Sequence, residues 1–401
     1  MKMKSILVSM LAIAALASCT RQEFIDPPGP VTQGEKMLVD VTLTSGELTK
    51  ATGVPTADED RAINDITVFF LNATDQIVSR HYVASAGLTN DGTDPLIKKT
   101  TIETRTTATK MMVIANIGED RTGTGANTTL YVSTREQLVN VVQDLVKDTP
   151  LVPVQTKGKV LMSGEGTVST MTPNPNQGDP NATAAVTLDF ISAKITLSKI
   201  TVGSDAKGTY GTDYKFTRAF LLNVQRNSHY FPTTDSYIPD PKGFVNGVEW
   251  VDSWGNNPNL PVVGDFNQAL SITDVTTPSE NIAHWYVFEN DPTGVSSADN
   301  PTILVVEVEW LKVKGNGGDT QDEKVKKMFN VIFGPGDKGV IKAGQAYNVE
   351  LTFNGDFRPE NDGGTGGGGS DNPDQPNVSA NVAITVTPAS WQDATTAKPF
   401  E

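Results

Sequence analysis

The chain has 401 residues, of which 37% are hydrophobic, a formal net charge of -15 at pH 7 and one cysteine, Cys19. This length and apolar content predict about two globular domains, and the acidic balance disfavours nucleic acid or anionic lipid as a partner. Because Cys19 stands alone, the chain holds neither an intramolecular disulfide nor a cysteine-based metal site, and no thiolate nucleophile follows it.

The N-terminal residues have the pattern of a lipoprotein signal. Lys2 and Lys4 precede an apolar run, residues 6–17, which is too short to span a bilayer, and Leu-Ala-Ser leads directly to Cys19. This lipobox predicts cleavage before Cys19, attachment of diacylglycerol to its sulfur and acylation of its new amino group. The precursor is therefore expected to be anchored to a membrane rather than to span it. The alternative is an ordinary signal peptide with a chance cysteine at the cut.

A half-buried strand is predicted soon after the signal. Residues 20–35 are rich in proline, glycine and polar residues, as in a tether. Residues 37–44 then alternate between apolar and polar side chains, which is the strand period. The apolar face of this strand consists of Met37, Val39, Val41 and Leu43.

The chain up to residue 353 has the pattern of antiparallel β-structure. Runs rich in β-branched and aromatic residues are separated by Gly, Pro, Asn and Asp, which predicts an all-β fold in one or two sandwiches with a domain break near residues 190–205. Strands are predicted at residues 65–71, 76–83, 97–104, 110–117, 159–162, 185–200 with an internal break, 216–224, 282–288, 302–311, 326–333 and 346–353.

One amphipathic helix is predicted within this β-structure. Ser133 and Glu136 form an S-x-x-E capping box. Apolar residues recur at helical spacing after the box, at Leu138, Val141, Val142 and Leu145.

The C-terminal region pairs a linker with a further strand. Residues 354–377 are dominated by Gly, Asp, Asn and Pro and predict a flexible linker. Alternation then resumes, and Pro388 and Trp391 follow it. An apolar strand on a long tether is expected to pair with another part of a protein. Its apolar positions are Val378, Ala380, Val382, Ile384 and Val386.

The strand at residues 37–44 and the tethered strand are similar enough to fill the same groove. Each offers about 6 to 12 kcal/mol of gross apolar burial, so covalent tethering decides which one is bound, through an effective concentration on the order of mM. A cut after the first strand would remove that advantage, and the tethered strand of a neighbouring molecule could then replace it. Because donor and groove lie on different surfaces, the contact does not close and would propagate as a filament.

Short motifs follow one another in a fixed order along nearly the whole chain. Besides the lipobox and the two strands, they are LTKATGV (48–54), INDITV (63–68), MVIAN (112–116), LMS (161–163), YVFEND (286–291), PTIL (301–304) and YNVELT (347–352). In this order and spacing the chain resembles the fimbrillin family, the FimA-like major subunits of Bacteroidales type V pili. The resemblance implies two transthyretin-like β-sandwich domains with a tethered C-terminal donor strand, an outer-membrane lipoprotein precursor, maturation by a trypsin-like cysteine protease and assembly by strand exchange.

The resemblance also implies a processing site, which falls between Lys50 and Ala51. The family usually has arginine at this position, so Lys50 requires a protease that tolerates lysine, and Arg61 is a fallback site. The expected segments are a signal peptide (1–18), a propeptide with the removable first strand (19–50), an N-terminal domain (51–195), a C-terminal domain (196–355), a linker (356–377) and a donor strand (378–401) that includes Trp391.

Other chemistries find little support in the sequence. His81, His229 and His284 lie far apart and lack metal-ligand or triad spacing. Residues 58–60 lack the oxygen spacing of a calcium loop and are expected to be a solvated loop, and the glycine run at 366–369 lacks the strand and helix of a phosphate loop. Glu307 and Glu309 share one strand face, as carboxylates do in any acidic β-protein. We therefore expect no enzymatic activity, no metal and no cofactor.

These expectations define one function and leave two alternatives. The first is a structural fimbrial stalk subunit, cut near Lys50 and polymerised head to tail with identical or related subunits into adhesive surface filaments. The second is a non-polymerising surface lipoprotein that acts as a tip adhesin or glycan-binding module. A basal anchor that keeps its first strand uncut is the third.

Overall fold

The computed structural model describes residues 34–45, 58–92, 94–123, 128–148, 150–169, 172–173, 180–204, 207, 213–231, 243–249, 260–291, 301–312, 323–333, 340–353 and 382–390. Within these ranges, no helix has the length and hydropathy needed to cross a membrane.

The first half of the described chain contains twelve strands, one short α-helix and two 3-10 turns. The turns are Asp58–Arg61 and Ser85–Gly87, and α1 is Arg135–Val139. The strands are β1 (Lys36–Ser45), β2 (Ile66–Leu71), β3 (Ile77–Val83), β4 (Thr89–Asp91), β5 (Asp94–Arg105), β6 (Lys110–Ala115), β7 (Val142–Asp144), β8 (Val146–Asp148), β9 (Leu151–Pro153), β10 (Met162–Thr167), β11 (Thr172–Pro173) and β12 (Pro180–Phe190).

The second half contains eleven strands and the 3-10 turn Gly264–Phe266. The strands are β13 (Ser192–Val202), β14 (Tyr214–Leu222), β15 (Val224–Gln225), β16 (Asn227–His229), β17 (Phe244–Val245), β18 (Asn267–Ile272), β19 (Ala283–Phe288), β20 (Ile303–Lys312), β21 (Glu323–Ile332), β22 (Gln345–Phe353) and β23 (Val382–Ser390).

Nine strands of the first half form one sheet, which folds over itself into two layers. Its order is β3-β2-β6-β10-β12-β1-β5-β4, with β11 paired to β12. β12 forms the corner, because it pairs with β1 over residues 181–188 and with β10 only through its last two residues, Asp189 and Phe190. Inward side chains of both layers share one core, and the hydroxyl oxygens of Ser79 on β3 and Thr104 on β5 lie 2.6 Å apart. The layers therefore pack as a β-sandwich.

Two glycines allow β10 to approach this corner closely. A Cβ on Gly164 would lie 2.2 Å from the carbonyl oxygen of Thr187, and one on Gly166 would lie 2.5 Å from that of Ala185. Both oxygens belong to β12, so a side chain at either position would push the strands apart. The strand predicted at 159–162 is wrong. The observed strand is Met162–Thr167, and its glycines interrupt the apolar pattern on which the prediction depends.

The second half forms another sandwich from two four-stranded sheets. Their orders are β19-β13-β22-β23 and β18-β14-β20-β21. Phe353 of β22 packs against Phe216 of β14, with ring centroids 5.0 Å apart, and against Phe329 of β21 at 4.7 Å. These aromatic contacts join the two sheets, and most of the buried residues of both sheets belong to one core. Phe220 and Leu222 of β14 form a separate small cluster with Ile303 and Val305 of β20.

The two halves share packed surfaces. Every residue of β2 is buried: Ile66, Val68 and Phe70 face the first core, while Phe69 and Leu71 face a core that continues into the second half. This two-sided burial explains why the sequence of β2 is a continuous apolar run rather than an alternating one.

A short ladder also crosses between the halves, where β7 pairs antiparallel with β16. Beside it, Nη1 of Arg121 donates to the hydroxyl oxygen of Tyr230 at 2.9 Å and to Oε1 of Gln143 at 2.8 Å. Burial raises the pKa of Tyr230 to about 12, so its hydroxyl stays protonated and donates to Gln143.

The all-β prediction is confirmed, and most predicted strands appear within a few residues of their expected bounds. The break expected inside residues 185–200 lies at Ile191, between β12 and β13. The prediction of antiparallel β-structure needs correction, because β1 pairs parallel with β12 and β13 pairs parallel with β22. Most of the strands that were not predicted have only two or three residues, too few to show alternation.

The predicted helix is much shorter than expected. It ends at Val139, and its N-cap is Thr134 rather than Ser133, with the Thr134 hydroxyl accepting from the backbone N–H of Gln137 at 3.1 Å. The chain then enters β7, where Val142 is 38% exposed. The helical spacing was misleading. Leu138 is buried on α1, whereas Leu145 is buried between β7 and β8, and the pairing of β7 with β16 overrides local propensity.

Candidate functional site

β1 is an interior strand of the first sheet and is held on both sides. It runs parallel to β12 over Leu38–Ser45 and antiparallel to β5 over Lys36–Thr44. Both ladders would be lost if β1 were removed. The site that would remain is a slot bounded by two unpaired strand edges, which we call the β1 slot.

The inner face of β1 is completely covered. In the ladder with β12, Val39, Val41 and Leu43 are opposite Ala182, Ala184 and Val186, which are also buried. At roughly 1.5 to 3 kcal/mol for each large aliphatic side chain, the four inward residues contribute about 6 to 12 kcal/mol before the cost of ordering the strand. These four residues, with their exposed fractions, are Met37 (0%), Val39 (0%), Val41 (1%) and Leu43 (0%).

The outer face of β1 makes weaker contacts. Oγ1 of Thr101 donates to Oδ1 of Asp40 at 2.8 Å, and Nζ of Lys36 lies 2.7 Å from Oε1 of Glu103. The Lys36 and Glu103 side chains are 59% and 40% exposed, so solvent screens their attraction. Retention of β1 therefore depends on its inner face and its two ladders.

The C-terminal end of β1 differs from the rest of the strand. Ser45 occupies a fifth inward position and is fully buried, and its hydroxyl has no hydrogen-bond partner among the described residues. The carbonyl oxygen of Ser45 accepts from Nη2 of Arg61 at 3.2 Å. Arg61 stands on the 3-10 turn that is the next described segment, so this turn contacts the end of β1 directly.

The same turn is fixed to the second half through Asp60. Nζ of Lys194 on β13 lies 2.8 Å from Oδ2 of Asp60, and the hydroxyl of Tyr286 on β19 donates to Oδ1. The Asp60 and Lys194 side chains are 0% and 4% exposed. Burial, and then the neighbouring Asp60 carboxylate, raise the pKa of Tyr286, which keeps its hydroxyl protonated. The expectation of a solvated loop at residues 58–60 is therefore wrong for Asp60.

The predicted donor segment lies partly within the described residues. β23 covers Val382, Ile384 and Val386, and its backbone pairs antiparallel with β22 from Phe353↔Val382 to Gln345↔Ser390. It stands at the end of its sheet, so within the described strands it has one neighbour whereas β1 has two. Val378, Ala380 and Trp391 lie outside the described residues.

The predicted processing residues are placed as follows. Cys19, Lys50 and Ala51 lie outside the described residues, whereas the fallback residue Arg61 is part of the turn that contacts Ser45. Residues 34–35 precede β1, and the carbonyl oxygen of Glu35 accepts from the N–H of Thr106.

The histidines form no common site. His81 is buried on β3, where burial lowers its pKa to about 4, and its ring meets the edge of Phe70 with centroids 6.3 Å apart. His284 packs against Tyr286 on β19, and burial lowers its pKa. Across the part of the chain that the structure describes, no group of His, Cys, Asp and Glu is arranged to hold a metal ion.

Sequence reasoning missed the contacts at the end of β1. Arg61 was singled out only as a fallback cut site, Tyr286 only as the first residue of the YVFEND motif, and Ser45 and Lys194 were not singled out at all. A weak signal existed for Ser45, because it continues the alternation of residues 37–43 with a polar residue. No local signal identifies Asp60, because its partners lie 134 and 226 residues away.

Two family models match the chain on either side of the β12–β13 junction. Residues 39–192 match the model described as major fimbrial subunit protein (FimA). Residues 192–391 match the C-terminal domain of the FimA-like major fimbrial subunit protein. No curated protein sequence matches the chain significantly.

Solved structures share the fold over most of the chain. A protein assigned to cell adhesion from Bacteroides eggerthii DSM 20697 is 24% identical, with a TM-score of 0.66 over 90% of this chain and 98% of its own. A fimbrilin (FimA) from Porphyromonas gingivalis W83 is 16% identical, with a TM-score of 0.56 over 89% of this chain and 99% of its own. A protein assigned to cell adhesion from Parabacteroides distasonis ATCC 8503 is 15% identical, with a TM-score of 0.58, covering 91% of this chain and 100% of its own.

Proposed function

Since this chain belongs to the FimA-like major fimbrial subunit family, we propose that it is a stalk subunit that polymerises by strand exchange. As a member of the family it is a structural subunit of surface fimbriae that associates with other fimbrial subunits. In the proposed cycle it is exported as a lipoprotein acylated on Cys19, anchored in the outer membrane and cut near Lys50. The N-terminal domain of one molecule then receives the tethered C-terminal strand of the next.

The observation that carries the proposal is the unequal pairing of the two strands. β1 fills a slot with one ladder on each side, whereas β23 rests on one ladder at the edge of its sheet. A β23-like strand that moved into the vacant β1 slot of a neighbour would exchange one ladder for two and would bury its apolar alternation. The exchange is therefore favourable once the slot is open.

Tethering keeps the slot closed before the cut. While β1 remains joined to the chain, its high effective concentration prevents displacement by a strand from another molecule. After a cut between Lys50 and Ala51, β1 is held by non-covalent contacts alone and can leave with its lipid. The position of Arg61 supports Lys50 as the cut site, because the neighbouring Asp60 is buried and ion-paired, whereas proteases require an accessible, extended segment.

The geometry of donor and slot predicts a linear assembly. The slot lies in the first sandwich and β23 lies in the second, so donor and acceptor surfaces differ. A contact of this heterologous kind leaves one free slot and one free donor at the two ends of every oligomer. Filaments rather than closed dimers are expected.

Electron microscopy of the purified full chain, before and after limited tryptic digestion, tests the proposal. We expect monomers before digestion and filaments afterwards, with Ala51 as the new N-terminus. A chain lacking residues 378–401 should accept a donor strand after the cut but form no filaments alone. Filaments from this truncated chain would exclude the proposed donor. Recovery of acylated Cys19 from assembled fibres would indicate a basal anchor instead.

A further inference from the structure

The five inward positions of β1 are not equally suited to the slot. Four carry aliphatic or thioether side chains, but the fifth carries Ser45, which is 0% exposed. Its hydroxyl has no hydrogen-bond partner among the described residues. The strand therefore ends in a buried polar atom on the side of the chain that leads to the cut.

The surroundings of Ser45 are those of an apolar position. On β12 it pairs with Leu188, which is fully buried, and the preceding inward pair is Leu43 with Val186. A buried hydroxyl without a partner loses its hydration and gains nothing in return. The slot at position 45 would thus accept an aliphatic side chain better than the serine it holds.

The tethered strand supplies such a side chain. Its alternating positions number five, like those of β1, but all five are apolar, from Val378 to Val386. If the five positions align with the five of β1, a valine reaches position 45 whichever way the strand runs, Val386 in the direction of β1 or Val378 in the opposite direction. Pro388, which has no N–H for a ladder, then falls beyond the slot in both cases.

We propose that Ser45 is the residue that makes β1 replaceable and that position 45 of the slot selects a donor strand with an apolar fifth residue. This inference rests on the proposed strand exchange and adds the residue that makes replacement of β1 by the donor strand favourable. The built-in strand is sufficient while it is tethered, but once cut it is the weaker ligand, because the donor leaves no unpartnered hydroxyl in the slot. The selected partner is an extended segment with five alternating apolar side chains, as in residues 378–386 of a second copy.

The test compares Ser45→Ala with Thr44→Ala in the full chain. Ser45→Ala removes the hydroxyl without adding volume, and Thr44→Ala makes a similar truncation on the outer face of the same strand. Each protein is cut with trypsin and checked for an Ala51 N-terminus. It is then mixed with excess fluorescent peptide of residues 377–391, and the release of the β1 peptide and the uptake of the label are followed by gel filtration.

We expect Ser45→Ala to slow release of the β1 peptide at least about fivefold relative to the unmodified chain, while Thr44→Ala does not slow it. Ser45→Val should slow release further. Equal or faster release from Ser45→Ala, with normal uptake by the unmodified chain, would overturn the role of Ser45 and leave strand exchange intact. If the unmodified cut chain takes up no peptide, strand exchange itself is refuted.

Discussion

The carboxylate of Asp60 and the ammonium group of Lys194 form a buried ion pair, 2.8 Å apart, between the turn that follows β1 and the first strand of the second half. The guanidinium group of the next residue, Arg61, donates a hydrogen bond to the carbonyl oxygen of Ser45. Two adjacent side chains therefore connect the end of the removable strand to the second sandwich. Only the Asp60–Lys194 pair remains in the mature chain after a cut at Lys50, because Ser45 leaves with β1, whereas a cut after Arg61 would place Asp60 and Lys194 on different fragments.

Breaking this pair should destabilise the protein strongly. Asp60→Asn leaves the buried ammonium of Lys194 without its charged partner, which we expect to lower the free energy of unfolding by about 3 to 5 kcal/mol. The measurement is chemical denaturation of the full chain. Glu59→Gln is the matched control, because Glu59 pairs with Lys157 at 3.1 Å but is 69% exposed, and its loss should cost less than about 0.5 kcal/mol. Equal effects of both changes would contradict the structural role of Asp60.

The two faces of β1 provide a second comparison. Leu43→Ala should lower the unfolding free energy of the uncut chain by about 2 to 5 kcal/mol, because it opens a cavity in the slot. Leu38→Ala, on the opposite face, should cost less than about 1 kcal/mol. Both are measured by chemical denaturation of the precursor.

The assembled fibre supplies the contrasting measurement. If β1 is replaced on assembly, Leu43 is absent from the fibre, and fibres grown from the Leu43→Ala precursor should melt at the same temperature as unmodified fibres. A fibre that is destabilised by Leu43→Ala would mean that β1 stays in place.

The sequence predicted β1 itself well but not which strands pair with it, for physical reasons. Alternation of Met37, Val39, Val41 and Leu43 reflects a strand with one buried face, which local pattern reports directly. The parallel pairing of β1 with β12 is set by the path of the chain over more than a hundred intervening residues, which alternation does not encode. The buried Asp60 is unpredictable for the same reason, since its partners come from the second half.

β10 is a further example of a feature that the sequence pattern did not predict, because its glycines interrupt the apolar alternation by which a strand is recognised. Gly164→Ala would place a Cβ 2.2 Å from the carbonyl oxygen of Thr187, so β10 and β12 must separate at the corner of the first sandwich. We expect a loss of at least about 1 to 3 kcal/mol in unfolding free energy. Gly264→Ala is the control, since a Cβ there meets no atom within 4 Å. Thermal denaturation of both variants decides: similar melting temperatures would show that β10 and β12 do not approach closely.

The last prediction concerns acid stability and follows from His81. Burial lowers its pKa to about 4 in the folded chain, against 6.5 for the free side chain, and the opposing effect of Glu103 is smaller. As the pH falls from 6.5 to 4, the unfolded chain binds a proton that the folded chain does not, so the unfolding free energy should fall by up to about 3 kcal/mol. Above pH 6.5 the residue has no effect of this kind.

The variant that tests this acid dependence is His81→Phe, which keeps an aromatic ring against the edge of Phe70 and removes the titrating group. Unfolding free energies of the variant and the unmodified chain are measured between pH 7.5 and 4. Their difference should change in favour of the variant as the pH falls, since His284 and the carboxyl groups are common to both proteins and cancel. A difference that stays constant over this range would show that His81 takes up its proton in the folded state, and hence that its site is open to water.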